Sequence, residues 1–167
     1  MLGSLGSYSV SSIIDQAIDK LADNYQVLIS SGKSNTYKYQ HVSSKRVKIV
    51  PYFDGKTYLS LASLAITRAG ATTIAELQAL RVPCFLIPSP YVANNHQVKN
   101  ALSLAHEGCA IVLDEKHLTA DLLADKINKY MQENKLLLEM KERANKIQNV
   151  DTVKLMIKWI EEIVHES

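Results

Sequence analysis

The chain reads as an α/β protein built on a doubly wound parallel sheet, and three features of the sequence lead to that expectation. Short apolar runs without clear alternation recur along the chain, as strands covered on both faces require. Segments of helical length lie between them, so strand and helix alternate as in βαβ units. A small-residue turn also follows one of the apolar runs and feeds a helix, the place where ligands collect in open α/β sheets. In order, the expected elements are a helix over residues 9–24, a strand over 26–30 and a polar stretch at 30–44 that reads as a long loop. A strand follows at 47–52, with Lys45, Arg46 and Lys48 as a solvated flank, and then a short helix near 56–60. Strands at 64–67, 83–87 and 110–113 alternate with helices at 73–80 and 94–107. The last third is helical. Thr119 is placed to cap a helix running to Gln132, and Leu137, Met140, Ala144 and Ile147 make one apolar face. A final helix carries Val153, Met156, Ile157, Ile160, Ile163 and Val164 at 3-4 spacing.

A Rossmann-like unit begins with a strand that runs into a glycine turn, and only Met1-Leu2 precede Gly3-Ser4-Leu5-Gly6. In the common doubly wound order that strand lies in the middle of the sheet. A missing first strand is therefore expected, with a gap between the strands at 26–30 and 64–67, and the chain reads as a fragment.

Composition narrows the function. The 167 residues suit one compact domain, and 47% hydrophobic with 22% charged residues is the balance of a soluble globular protein. A net charge of +2 and the absence of a basic run interleaved with aromatics argue against nucleic acid. Cys84 and Cys109 sit in apolar runs and read as small buried hydrophobes in a reducing compartment. No apolar stretch reaches about 18 residues and no signal-peptide pattern is present, so a cytoplasmic location is expected.

The most informative stretch is Arg68-Ala-Gly-Ala-Thr-Thr-Ile-Ala-Glu76. Gly70 and Ala71 let a ligand approach the backbone, Thr72 and Thr73 offer hydroxyls, and the helix start presents amides and a positive dipole end to an anion. Glu76, about one turn in, is placed to accept hydrogen bonds from a ribose diol. The plainer reading is a Thr73-x-x-Glu76 capping box. A second segment, Pro88-Ser-Pro-Tyr-Val-Ala-Asn-Asn-His-Gln-Val-Lys-Asn-Ala101, follows another strand and reads by itself as a polar helix start.

Together with Gly3-Ser4-Leu5-Gly6, these two motifs resemble the donor-binding half of the bacterial MurG glycosyltransferase family. The resemblance covers essentially the whole chain and the carboxyl-terminal half of a family member. It implies the carboxyl-terminal domain of a GT-B glycosyltransferase, binding UDP-GlcNAc for transfer of GlcNAc to lipid-linked muramyl-pentapeptide in peptidoglycan synthesis. By resemblance the Phe53 backbone would meet uracil, and Ser4, with the amides of Gly3–Gly6, would meet the diphosphate. Ala71, Thr72, Thr73, Ile74 and Ala75 would supply amides and hydroxyls toward the diphosphate, and Glu76 the ribose contact. Gln97 would bind sugar hydroxyls, with His96 and Asn100 beside it. Arg68 would either counter diphosphate charge or order the loop by tying carbonyls together.

No metal is expected. The chain has no Asp-x-Asp pair for Mg²⁺, its five histidines lack zinc-type spacing, and the family stabilises its leaving group with helix dipoles and amides. The resemblance assigns the acceptor chemistry, the catalytic base and the membrane-facing patch to an amino-terminal domain, so no catalytic residue is carried over. Peripheral contact with the cytoplasmic membrane face and with the lipid-linked acceptor would run through that domain. The chain departs from the family pattern at Leu2, where a glycine is usual, at Ser63, where an aspartate is usual, and by one residue fewer between Pro51 and Arg68. Two other readings share these motifs or this architecture: a stand-alone donor-binding subunit of a split UDP-GlcNAc transferase, and a sugar-nucleotide epimerase domain.

Overall fold

The computed structural model describes residues 8–33, 36–41, 45–92, 95–147 and 152–165. Helix α1 (Tyr8–Leu21) leads into β1 (Val27–Ser30) and β2 (Val47–Val50), followed by α2 (Gly55–Ser60), β3 (Ala65–Thr67) and α3 (Ala71–Leu80). Then come β4 (Cys84–Leu86), α4 (His96–His106), β5 (Ala110–Val112), α5 (Ala120–Gln132), α6 (Asn134–Lys146) and α7 (Thr152–His165). Each expected strand is found, shortened by one or two residues at its ends. Thr119 caps α5 through its side chain, which accepts a hydrogen bond from the Leu122 amide at 3.2 Å.

All strand pairs are parallel. β1 pairs with β2 in one ladder, and β3-β4-β5 form a second, with Phe85 opposite Ile66 on one side and Ile111 on the other. Among the described residues no ladder joins β1 to β3, which is where the sequence places a gap. Residues 1–7, on which the expected missing strand turns, lie outside the described residues.

The order of layers follows from β4, whose three residues are fully buried. Successive side chains of a strand point to opposite faces. Cys84 and Leu86 accordingly pack with Leu77 of α3, Ala101 and Leu104 of α4 and Ala144 of α6. Phe85 and Ile87 instead pack with Val10, Ala17 and Leu21 of α1 and with Leu123, Ala124 and Ile127 of α5. The Phe85 ring meets Tyr130 edge-on, 5.1 Å between centroids, which fixes α5 against the sheet. Helix α1 spans both ladders, since its Ile18, with Ala22 just beyond it, covers Ile29 and Val47. The result is helix, parallel sheet, helix.

Both cysteines are free and buried, and burial pushes the Cys84 thiol up to about 12. They behave as the small hydrophobes expected of them. The polar stretch after β1 is held more firmly than its composition suggests. The Asp15 carboxylate, buried in α1, accepts hydrogen bonds from the Tyr37 hydroxyl at 2.8 Å and from the amides of Gln40 and His41 at 2.9 and 3.0 Å. Among the described residues no helix is long and apolar enough to cross a membrane.

Candidate functional site

The site forms at the carboxyl ends of the strands. Helix α3 starts at Ala71, two residues earlier than the sequence suggests. Gly70 is its N-cap, with φ −68° and ψ 144°, and its carbonyl accepts the first intrahelical bond from the Ile74 amide at 2.9 Å. That start overturns the Thr73/Glu76 capping box: Thr73 lies inside the helix, where it cannot take the half-extended backbone of a cap. Among the described residues no side chain caps the α3 terminus. The amides of Ala71, Thr72 and Thr73 therefore precede the intrahelical ladder and point out of the first turn. Ala71 and Thr72 are exposed there, while Ile74 turns toward the core.

Gly70 has a backbone conformation open to any residue, and a Cβ built on it would meet only Thr73 Oγ1, at 4.0 Å. Neither backbone strain nor crowding demands a glycine here. Alanine is a poorer N-cap than glycine, so Gly70→Ala is expected to cost about 0.5–1 kcal/mol of stability even though its methyl clashes with nothing. It should weaken anion binding by about 1 kcal/mol or more, because the methyl occupies the approach. Thermal unfolding alongside calorimetry separates the two effects.

The turn before α3 is clamped from both sides. Arg68 directs its guanidinium inward, where Nη1 donates to the Ile87 carbonyl at 3.1 Å and pairs with Glu115 at 2.5 Å. Of the two roles open to Arg68, this geometry matches the one that orders the loop and ties carbonyls. Asn100 of α4 donates from Nδ2 to the Ala69 carbonyl at 3.1 Å. The two sequence motifs thus meet through Asn100 and Ala69. A groove of about 180 Å³ runs between α3 and α4, lined by Ala71, Ile74, Ala75 and Asn100 together with Gln78 and Ser103.

Helix α4 opens on Asn95, whose left-handed backbone (φ 52°, ψ 31°) is a conformation that asparagine tolerates better than most residues. Asn95 makes no side-chain cap bond to α4. His96 is exposed in its first turn, and Gln97 reaches back to accept from the Ser89 amide at 2.9 Å, which leaves its own amide nitrogen for other partners.

Glu76 lies on the opposite flank of α3, beside α2. A Cβ on Gly55 would come within 3.0 Å of its Oε2, so the carboxylate and the start of α2 are in close apposition. Phe53 is buried just before that helix, its ring 5.3 Å from Tyr58, while Asp54 caps α2 by accepting from the Thr57 amide. The Phe53 loop and Glu76, 23 positions apart in sequence, are thereby neighbours. Sequence reasoning missed Gly55, Glu115 and Asn95. A left-handed Asn in an Asn-Asn pair had a local signal; the others are visible only in three dimensions. Gly3, Ser4 and Gly6 lie outside the described residues.

Against known proteins, residues 1–156 match the family described as glycosyltransferase family 28 C-terminal domain. The chain belongs to this family. Its glycosyltransferase relatives include the UDP-N-acetylglucosamine--N-acetylmuramyl-(pentapeptide) pyrophosphoryl-undecaprenol N-acetylglucosamine transferase of Caldanaerobacter subterraneus subsp. tengcongensis. The two are 40% identical over 157 residues, 89% of this chain and 43% of the relative. The enzyme of the same name from Acetivibrio thermocellus is 32% identical over 169 residues, 97% of this chain and 46% of the relative. The chain spans less than half the length of these curated relatives. In fold it is similar to the crystal structure of Acinetobacter baumannii MurG, with a TM-score of 0.84 at 23% identity over 97% of this chain and 48% of that one. It is also similar to glycosyltransferase VinC in complex with dTDP, with a TM-score of 0.66 at 16% identity over 94% of this chain and 40% of that one. The expected fold, the carboxyl-terminal domain of a GT-B glycosyltransferase, is thus borne out, as is the resemblance to MurG.

Proposed function

We propose that residues 1–167 are the donor-binding domain of a transferase that moves GlcNAc from UDP-GlcNAc to a lipid-linked muramyl-pentapeptide. The observation that carries this reading is the uncapped start of α3 with Glu76 beside the Phe53–Gly55 loop. In this reading the nucleoside lies along that loop with its ribose on Glu76. The diphosphate meets the amides of Ala71, Thr72 and Thr73, and also Ser4 with the amides of Gly3–Gly6. The hexose reaches Gln97, with His96 and Asn100 nearby.

Amides fixed at a helix start stabilise the charge that develops on departing UDP, and they do so without reorganisation. No metal is needed for that step. The acceptor site and the base that deprotonates the acceptor's hydroxyl belong, in this reading, to the other half of the relatives' length, as does contact with the membrane surface. The domain itself is then cytoplasmic, in keeping with two free buried thiols.

Calorimetry with UDP, UDP-GlcNAc and GDP tests the proposal. UDP should retain much of the affinity of UDP-GlcNAc, and GDP should bind markedly less well. Equal binding of GDP and UDP, or no binding by folded protein, would sink it. Gln97→Ala extends the test to the sugar: UDP-GlcNAc binding should fall by about 0.5–1.5 kcal/mol, the range for one hydrogen bond, with UDP nearly unaffected. A matching loss for both ligands would place Gln97 away from the hexose.

A further inference from the structure

Glu115 lies in the turn between β5 and α5, outside every motif discussed above, yet its side chain is only 9% exposed. Its two carboxylate oxygens serve two elements. Oε2 pairs with Arg68 at 2.5 Å, and Oε1 accepts from the hydroxyl of Ser9, the second residue of α1, at 2.5 Å. Arg68 in turn holds the Ile87 carbonyl just past β4 and stands immediately before the Ala69-Gly70 turn that opens α3. One carboxylate thereby joins the first turn of α1, the ends of β3 and β4, and the β5–α5 turn.

A buried ion pair is a weak source of stability, since apolar side chains of similar volume commonly serve as well or better. What apolar packing lacks is direction. A carboxylate that accepts from two sides fixes both donors relative to each other, and charge-assisted bonds are short and geometrically strict. Glu115 also neutralises Arg68 locally, which leaves the α3 amides rather than the guanidinium to meet ligand charge.

We propose that Glu115 is a positioning residue for the donor diphosphate, acting through Arg68 and Ser9 to hold the starts of α3 and α1 in fixed relation. This rests on the donor-binding reading above. Pre-organised donors bind an anion without the cost of ordering a loop. The nucleoside flank, built from Phe53, Gly55 and Glu76, is farther from this network: Phe53 and Gly55 belong to the loop and first turn of α2, and only Glu76 lies on α3, more than one turn past its start.

The test compares UDP with uridine on the full 167-residue chain for wild type, Ser9→Ala and Glu115→Gln, with thermal unfolding to confirm that each is folded. Wild type should prefer UDP. Glu115→Gln should lower that preference about tenfold with uridine binding much less affected, because its amide oxygen can accept from only one of the two donors, its amide nitrogen faces the other, and the charge is lost. Ser9→Ala, at an exposed hydroxyl, should lower it about threefold, within the range of one hydrogen bond. If Glu115→Gln does not fold, Ser9→Ala decides alone. Full preference for UDP in the folded variants overturns the positioning role and leaves the donor reading standing. Equal losses of UDP and uridine also overturn it, since general loosening would produce them. A wild-type chain that binds UDP no better than uridine contradicts the donor reading itself.

Discussion

Replacing Arg68 with alanine is expected to destabilise the chain by about 3–5 kcal/mol at neutral pH, the usual cost of leaving one partner of a buried ion pair uncompensated. The two side chains are only 10% and 9% exposed, so water replaces the lost partner only in part. The loss is large against a total stability of about 5–15 kcal/mol for a domain. Its pH dependence identifies the cause. Burial pushes the Glu115 carboxyl up, but hydrogen bonds from Arg68 and Ser9 outweigh it and hold the group below its ordinary value. In wild type this depressed value contributes stability above the unfolded carboxylate range, and the contribution is lost as pH falls through the folded value. In Arg68→Ala the burial remains without the main partner, so the carboxyl rises and protonation relieves it. The deficit relative to wild type should therefore shrink between pH 7 and pH 4. Denaturant unfolding at both pH values measures this. An equal deficit at both, or one below about 1 kcal/mol, would contradict the buried pair.

Glu76→Ala has the largest expected effect on binding. A hydrogen bond to a charged group contributes about 1.5–3 kcal/mol, so UDP-GlcNAc affinity should fall about tenfold to a hundredfold or slightly more. Stability should change by no more than about 0.5 kcal/mol, because Glu76 caps nothing: α3 begins at Ala71 on Gly70. The decisive comparison is a donor with 2′-deoxyribose. Wild type should bind it about as weakly as the variant binds the natural donor, and the variant should not distinguish the two. If the substitution weakens both donors equally, Glu76 does not read the ribose. Gly55→Ala gives a milder form of the same test, since its methyl would press on Oε2 from 3.0 Å and displace the carboxylate without removing it.

Much of this molecule is legible in its sequence for a plain physical reason. Strands such as Cys84-Phe85-Leu86 are buried on both faces, and continuous apolar runs between helical segments announce that arrangement. Thr119 was readable as a cap because capping is local. Locality also explains the error at α3. Thr73-x-x-Glu76 satisfies the pattern of a capping box, but Gly70 starts the helix first, and the pattern carries no information about that. What the sequence conceals are pairings between distant residues. Ser9 and Glu115 are 106 positions apart, and Arg68 and Glu115 are 47 apart. Only packing of α1 and the β5–α5 turn around the sheet brings them together. Asp15 is similar: a lone acid in an amphipathic helix reads as solvated, yet it anchors the loop at Tyr37, Gln40 and His41. The two motifs come together at the carboxyl ends of the strands, whereas the network that braces them could not be read from spacing.

The central claim is that the start of α3 and the Phe53–Gly55 loop together receive a uridine diphosphate. Amide chemical-shift mapping during titration with UDP tests it most directly, since it reports the very N–H groups named. The predicted result is a saturable perturbation concentrated at Gly70, Ala71, Thr72 and Thr73 and at Phe53 to Gly55, with uridine alone moving the second group and barely the first. Perturbations elsewhere, with the α3 amides unmoved at saturating UDP, would contradict the account.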